Sequence, residues 1–138
     1  MTGRRQYGKN ACVTTFLIEA HRTLSNMIGI YTLVVGIWGI VNAFRRVPPD
    51  GNFNGALALA VAVFVVEALA GVLLVLLGLR PARIIHLLYG VTIALIIPAI
   101  FAFTRGRNSS RESLLYGLGM IFIAGLNDRA AHTALVGD

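Results

Sequence analysis

Few side chains in this sequence can do chemistry, and the clearest are three histidines, His21, His86 and His132. His21 stands just before a charge-free run from Thr23 to Phe44, and His86 near the start of another from Ile84 to Thr104. If the two runs cross a bilayer in the same direction, the two imidazoles sit at similar depth. Ser25 and Gly29 follow His21 at i+4 and i+8, and Gly90 and Ala94 follow His86 at the same offsets, so each imidazole heads a stripe of small residues on its helix. A haem held by two histidines needs this: an imidazole above and below the iron and nothing bulky where the porphyrin lies. The residues therefore suggest His21 and His86 as ligands of a haem iron, with haem b as the cofactor. Ser25, Gly29, Gly90 and Ala94 would flank the ring, and Arg22, Arg80 and Arg83 would pair with its propionates. The same residues have a structural reading, because small residues at four-residue spacing also let membrane helices approach closely and an interfacial histidine can be a simple polar anchor. His132, beyond the last apolar run, reads as solvated.

Glu67 is the other outlier, an intramembrane ionisable residue near the middle of the run Gly51–Leu79. A carboxylate there is costly and faces protein interior. It is a candidate proton or cation site, as in a small proton-coupled transporter; structurally it is a protonated acid hydrogen-bonded to a neighbour, or a contact with another subunit. Tyr31, Thr32 and Thr92 are placed at comparable depth as partners. The single Cys12 forms no internal disulfide and no redox pair. The sequence has no phosphate-binding glycine loop, no metal-spaced Cys/His cluster, no Ser-His-Asp set and no paired carboxylates, so no catalytic residues are assigned and no enzymatic activity of its own is expected.

The elements that must position these residues are set by hydropathy. Of the 138 residues 57% are hydrophobic and 13% charged, with a mean hydropathy of +0.76, whereas soluble domains run to about a quarter charged. The charges fall between long apolar runs: 22 residues over 23–44, 29 over 51–79 broken only by Glu67, 21 over 84–104, and 15 over 113–127. A crossing takes about 20 residues. The first three suffice, and the fourth needs Arg111, Glu112, Asp128 and Arg129 at the interfaces. The expected fold is all-α: an integral membrane four-helix up-down bundle, a single transmembrane domain over 1–138, with spans near 23–44, 52–79, 84–104 and 112–130. Residues 1–10 read as a flexible polar lead. Val13, Phe16, Leu17, Ala20 and Leu24 recur at helical spacing and predict an interfacial helical extension running into the first span. Pro48, Pro49 and Gly51 break the chain after span one, Arg80-Pro81-Ala82-Arg83 joins spans two and three tightly, and Pro98 sits inside span three.

The net charge of +6 does not point to nucleic acid, because the basic residues flank the spans instead of forming a soluble patch. Four spans put both termini on one side, with Arg4, Arg5, Lys9, Arg22, Arg80, Arg83 and Arg129. The other side holds Arg45, Arg46, Arg105, Arg107 and Arg111. Seven against five favours cytoplasmic termini, and no secretory signal is visible. The expected setting is a bacterial cytoplasmic (inner) membrane, with the lipid bilayer and other membrane subunits as partners.

The run Glu19-Ala-His21-Arg22 resembles the Glu-x-x-His-Arg motif of haem A synthase, a membrane enzyme of two four-helix halves. The stretch from Ala70-Gly71 to Leu79, followed by Ile85-His86-Leu87-Leu88, resembles the next helix pair of one half. The resemblance covers residues 17–100 and implies that both histidines ligate haem. This sequence departs from the family in having one residue fewer between Glu and His, a single such half and no cysteine pair, so haem A synthesis is not implied. The whole chain is also similar to small four-span bacterial membrane proteins of no assigned function, with Trp38-Gly39 in span one and Tyr89-Gly90 after the span-three histidine.

Three functional expectations follow. The first is a small accessory subunit of a larger membrane complex, in respiratory or photosynthetic electron transfer, supported by tiny loops and the lack of a catalytic constellation. The second is a haem-b-binding four-helix protein with His21 and His86 as axial ligands; the two can coexist. The third is proton-coupled transport around Glu67.

Overall fold

The computed structural model describes residues 3–135, with side chains over 12–134; Arg4, Arg5 and Lys9 lie outside the described side chains. Four helices follow one another: α1 (Gly3–Phe44), α2 (Gly51–Leu76), α3 (Ile85–Thr104) and α4 (Ser110–Leu135), and no strand occurs among the described residues. The bundle is all-α and four-sided. α1 packs on α4 and α2, α3 packs on α4 and α2, and α1 and α3 stand diagonally across the core.

Local chemistry sets the helix ends. After α2, Gly78 adopts φ 85°, a left-handed conformation that a Cβ would strain. Its N–H bonds to Val75 O and that of Leu79 to Leu74 O, each at 3.0 Å, which closes the helix as a Schellman turn. α2 begins at Asp50, whose carboxylate accepts the Phe53 N–H at 2.7 Å. α4 begins with a capping box: Glu112 accepts the Ser109 N–H at 2.9 Å and the Ser109 hydroxyl. α3 runs through Pro98 and ends at Arg105 in the left-handed region, φ 52°.

Helices α1 (over Cys12–Phe44), α2 and α3 are long and apolar enough to cross a membrane. α4 is as long as α2 at 26 residues, but its charge-free stretch is only 113–127, and packing rather than hydropathy fixes its place. The surface agrees with a bilayer: Ile30 and Val34 of α1, Leu69 and Leu76 of α2, and Leu88 and Phe101 of α3 all face outward. Such an apolar exterior is a liability in water and the natural boundary in lipid. The N-terminal extension is not a separate interfacial helix. It is continuous with the first span, and residues 3–10, expected to be flexible, belong to it too. At 42 residues α1 is about 63 Å long, roughly twice a hydrocarbon core of about 30 Å. Val13 and Phe16 stay exposed on its projecting part.

The tightest seam joins α1 to α4. A Cβ on Gly117 would lie 2.7 Å from Ile40 N and 2.9 Å from Gly39 C, and one on Gly39 would lie 2.8 Å from Gly117 Cα. The two backbones therefore touch, and only glycine fits at the crossing. Beside it Trp38 packs edge-on against Phe53, with ring centroids 5.3 Å apart. The core continues through Ile28, Val35, Leu57, Phe64, Met120 and Ile123.

Candidate functional site

The end of the bundle nearest the chain termini is not filled. A cavity of about 400 Å³ opens there among all four helices, and its walls include Ile18, His21 and Ser25 of α1, Gly71 and Leu74 of α2, His86 of α3 and Ala131 of α4. Arg22, at the start of the first span, and Arg80, in the α2–α3 turn, line it as well. Both arginines are exposed.

His21 and His86 meet in this cavity from the two diagonal helices. Their ring centroids are 6.2 Å apart and the planes are inclined by 71°. His86 Nδ1 lies 2.8 Å from Ala130 O. A carbonyl only accepts, so Nδ1 must carry the proton and Nε2 the lone pair. His21 Nδ1 lies 3.1 Å from Glu67 Oε1, an approach not aligned as a hydrogen bond. His21 Nδ1 and Glu67 Oε2 are buried atoms with no hydrogen-bond partner among the described residues. Gly71, one turn beyond Glu67, leaves room for the imidazole: its Cβ position would be 3.5 Å from His21 Cε1. Buried polar groups are ordinarily satisfied, so an orphaned pair marks a place where something other than packing sets the residues.

The other expected site residues divide. Ser25 and Arg22 join His21 and His86 at the cavity, whereas Gly29, Gly90, Ala94 and Arg83 do not line it. Ser25 Oγ donates to Asn127 Oδ1 at 3.1 Å while Asn127 Nδ2 donates to Ser25 O at 2.9 Å. A Cβ on Gly29 would meet the same Asn127 amide at 3.0 Å. Gly29 therefore admits α4, and Ser25 both bonds α4 and stands at the cavity wall. The reason is helical phase, because positions i+4 and i+8 are rotated by about 40° and 80° from residue i. Gly90 faces outward with nothing within 4 Å of its Cβ position. Arg83 is held by its backbone, its N–H bonding Thr133 O at 3.2 Å. His132 is exposed and stands 3.8 Å from Asp128 at i+4.

Glu67 does not find the partners its sequence position suggests. Tyr31 donates to Ala56 O at 2.9 Å, Thr32 to Ile28 O at 2.8 Å and Thr92 to Leu88 O at 2.8 Å. All three hydroxyls are used on backbone carbonyls, and the carboxylate faces His21 instead. Among the described residues no three His, Cys, Asp or Glu side chains are placed to hold a metal ion. A bare ion would find two imidazoles and too few further ligands, whereas a metal that brings its own planar ligand needs only two.

Comparison with known protein families, with curated proteins and with solved structures finds no match.

Proposed function

We propose that the protein is a haem-b-binding electron carrier of a bacterial cytoplasmic membrane, with His21 and His86 as the two axial ligands. One observation carries the reading: two imidazoles from diagonal helices meet 6.2 Å apart in a cavity. A metal–nitrogen bond of about 2 Å on each side, plus the half-width of each ring, gives a separation of about 6 Å between centroids. The inclination of the two planes does not alter that separation, which depends on bond lengths and ring sizes alone.

Further support comes from the Nδ1 atoms of the two rings. His86 Nδ1 is engaged by a carbonyl and His21 Nδ1 approaches a carboxylate. Metal-ligating histidines commonly donate their second ring N–H to such oxygens, which leaves Nε2 for the metal. Arg22 and Arg80 at the wall supply positive charge for propionates, and 400 Å³ lies within the usual range of ligand pockets, about 300–1,000 Å³. A haem so held supplies one-electron transfer at the iron; the chain's own residues orient the imidazoles and exclude lipid. A lone redox centre needs a donor and an acceptor nearby, so we assign the protein as a small accessory subunit of a larger respiratory or photosynthetic electron-transfer complex. Seven basic residues on the terminal side against five on the other favour termini in the cytoplasm.

The test is an absorption spectrum of protein purified in detergent from cells supplied with a haem precursor. A Soret band that shifts on reduction is expected, and His21→Ala and His86→Ala should each abolish the low-spin spectrum. A colourless wild-type preparation overturns the proposal.

A further inference from the structure

We infer that Glu67 is the positioning residue of this site: its carboxylate accepts the Nδ1 proton of His21 and so fixes the tautomer in which Nε2 points its lone pair to the cavity. The inference deepens the haem reading only in its consequence for the iron; the tautomer itself is a property of the chain alone.

Three observations lead to it. First, Glu67 Oε1 and His21 Nδ1 are 3.1 Å apart, with side chains only 16% and 22% exposed. Second, among the described residues neither His21 Nδ1 nor Glu67 Oε2 has any other hydrogen-bond partner. The 3.1 Å separation is already within hydrogen-bond distance, and among the described residues no other group partners His21 Nδ1. Third, the opposing imidazole is already fixed in this way, because the Ala130 carbonyl allows only the Nδ1–H form of His86. The two rings of the pair would then share one tautomer, held by a carbonyl on one side and by a carboxylate on the other. The two acceptors are not equivalent. A carboxylate draws the Nδ1 proton more strongly than a carbonyl does, and makes the ring a stronger electron donor through Nε2. His21 is thus the stronger electron donor of the two, and the site is electronically asymmetric. A free imidazole favours the opposite, Nε2–H tautomer, so the preference has to be imposed. The chain contains its own contrast in His132 and Asp128, a histidine–carboxylate pair 70% and 72% exposed at 3.8 Å, where water competes for both groups.

The test uses full-length protein in detergent with ¹⁵N-labelled histidine, first without haem. In wild type the ¹⁵N shifts of His21 and His86 should both report Nδ1–H. Glu67→Leu, which removes the acceptor without leaving a buried charge, should return His21 to the Nε2–H form and leave His86 unchanged. Glu67→Gln keeps an acceptor oxygen and should restore the Nδ1–H form. Asp128→Asn should move neither signal. With haem added, Glu67→Leu should bind about 10- to 100-fold more weakly, and Glu67→Gln should bind with the reduction midpoint shifted upward. An unchanged His21 tautomer in Glu67→Leu overturns the inference, as does a misfolded Glu67→Leu accompanied by a Glu67→Gln protein with wild-type midpoint and affinity. A tautomer that responds to Glu67 in a protein that never binds haem supports the positioning role and removes the haem reading alone.

Discussion

The two ends of this bundle are built on opposite terms. At the end formed by the α1–α2 and α3–α4 loops, the polar groups that cap and join the helices are answered. Asp50 takes the Phe53 N–H, Ser113 Oγ donates to Val47 O at 2.9 Å and ties the first loop to α4, and Glu112 takes both donors of Ser109 with Arg107 3.6 Å away. There too the glycine seam brings the α1 and α4 backbones into contact, while on the other flank a cleft of about 580 Å³ opens between α2 and α3, walled by Leu57, Val61, Ile97 and Phe101. At the opposite end a cavity opens among the helices, and beside it two buried polar atoms, His21 Nδ1 and Glu67 Oε2, have no hydrogen-bond partner among the described residues. Polar groups are answered at the first end, and a desolvation cost is tolerated at the second. A fold breaks its own local rules mainly where a function requires it, and it is the unanswered polar pair, not the presence of a cavity, that sets the second end apart.

Four changes would break or sharpen that contrast. The largest effect is expected at the seam. Gly117→Ala puts a Cβ 2.7 Å from the Ile40 backbone nitrogen, where no flexible side chain can yield, and should cost about 1–3 kcal/mol in a reversible unfolding measurement in detergent. Asp50→Ala removes the α2 cap and should cost about 1 kcal/mol, read from the same unfolding curves. The third effect depends on pH. The Ser109 hydroxyl, opposed by burial and helped by the Glu112 and Ser109 N–H groups and Arg107, holds Glu112 below the ordinary carboxylate range. A carboxylate whose folded value is depressed adds stability that is present above its unfolded value and is lost as pH falls through the folded one. Hydrogen exchange at the first turn of α4 should therefore accelerate on acidification below the usual carboxylate range, and Glu112→Gln should remove that dependence. The smallest effect is expected for Asp128→Asn, whose exposed partner His132 contributes little; a shift beyond about 0.5 kcal/mol would show the outer rim of the cavity end to be structural after all.

Much of this architecture was legible before any coordinates. The charge-free runs marked three crossings, Gly78 and the Arg80-Pro81 turn marked the α2–α3 connection, and equal direction of travel placed His21 and His86 at one end. What could not be read was stagger. Glu67 looked central because the apolar run extends to Leu79, yet α2 closes at Leu76 and the helices slide so that Glu67 reaches His21. Hydropathy reports how long a helix is and not where its neighbour starts. The small-residue stripe reaches the cavity only at Ser25 for a related reason: residue sizes along a strip of sequence do not say which neighbouring helix the strip meets, and Asn127 of α4 contacts both Ser25 and Gly29. The one signal for the acid–imidazole pair was chemical, since a buried acid and a buried imidazole each require company.

α1 behaves as a shaft. His21 and Gly39 are 18 residues apart, five full turns at 3.6 residues per turn, so they share one azimuth on an unbroken rod about 27 Å from one to the other. The crossing at Gly39 and Gly117 allows no backbone slack. Clamping the rod at that point sets the direction in which the distant imidazole is aimed, and a torque applied at the clamp is delivered as rotation at the cavity.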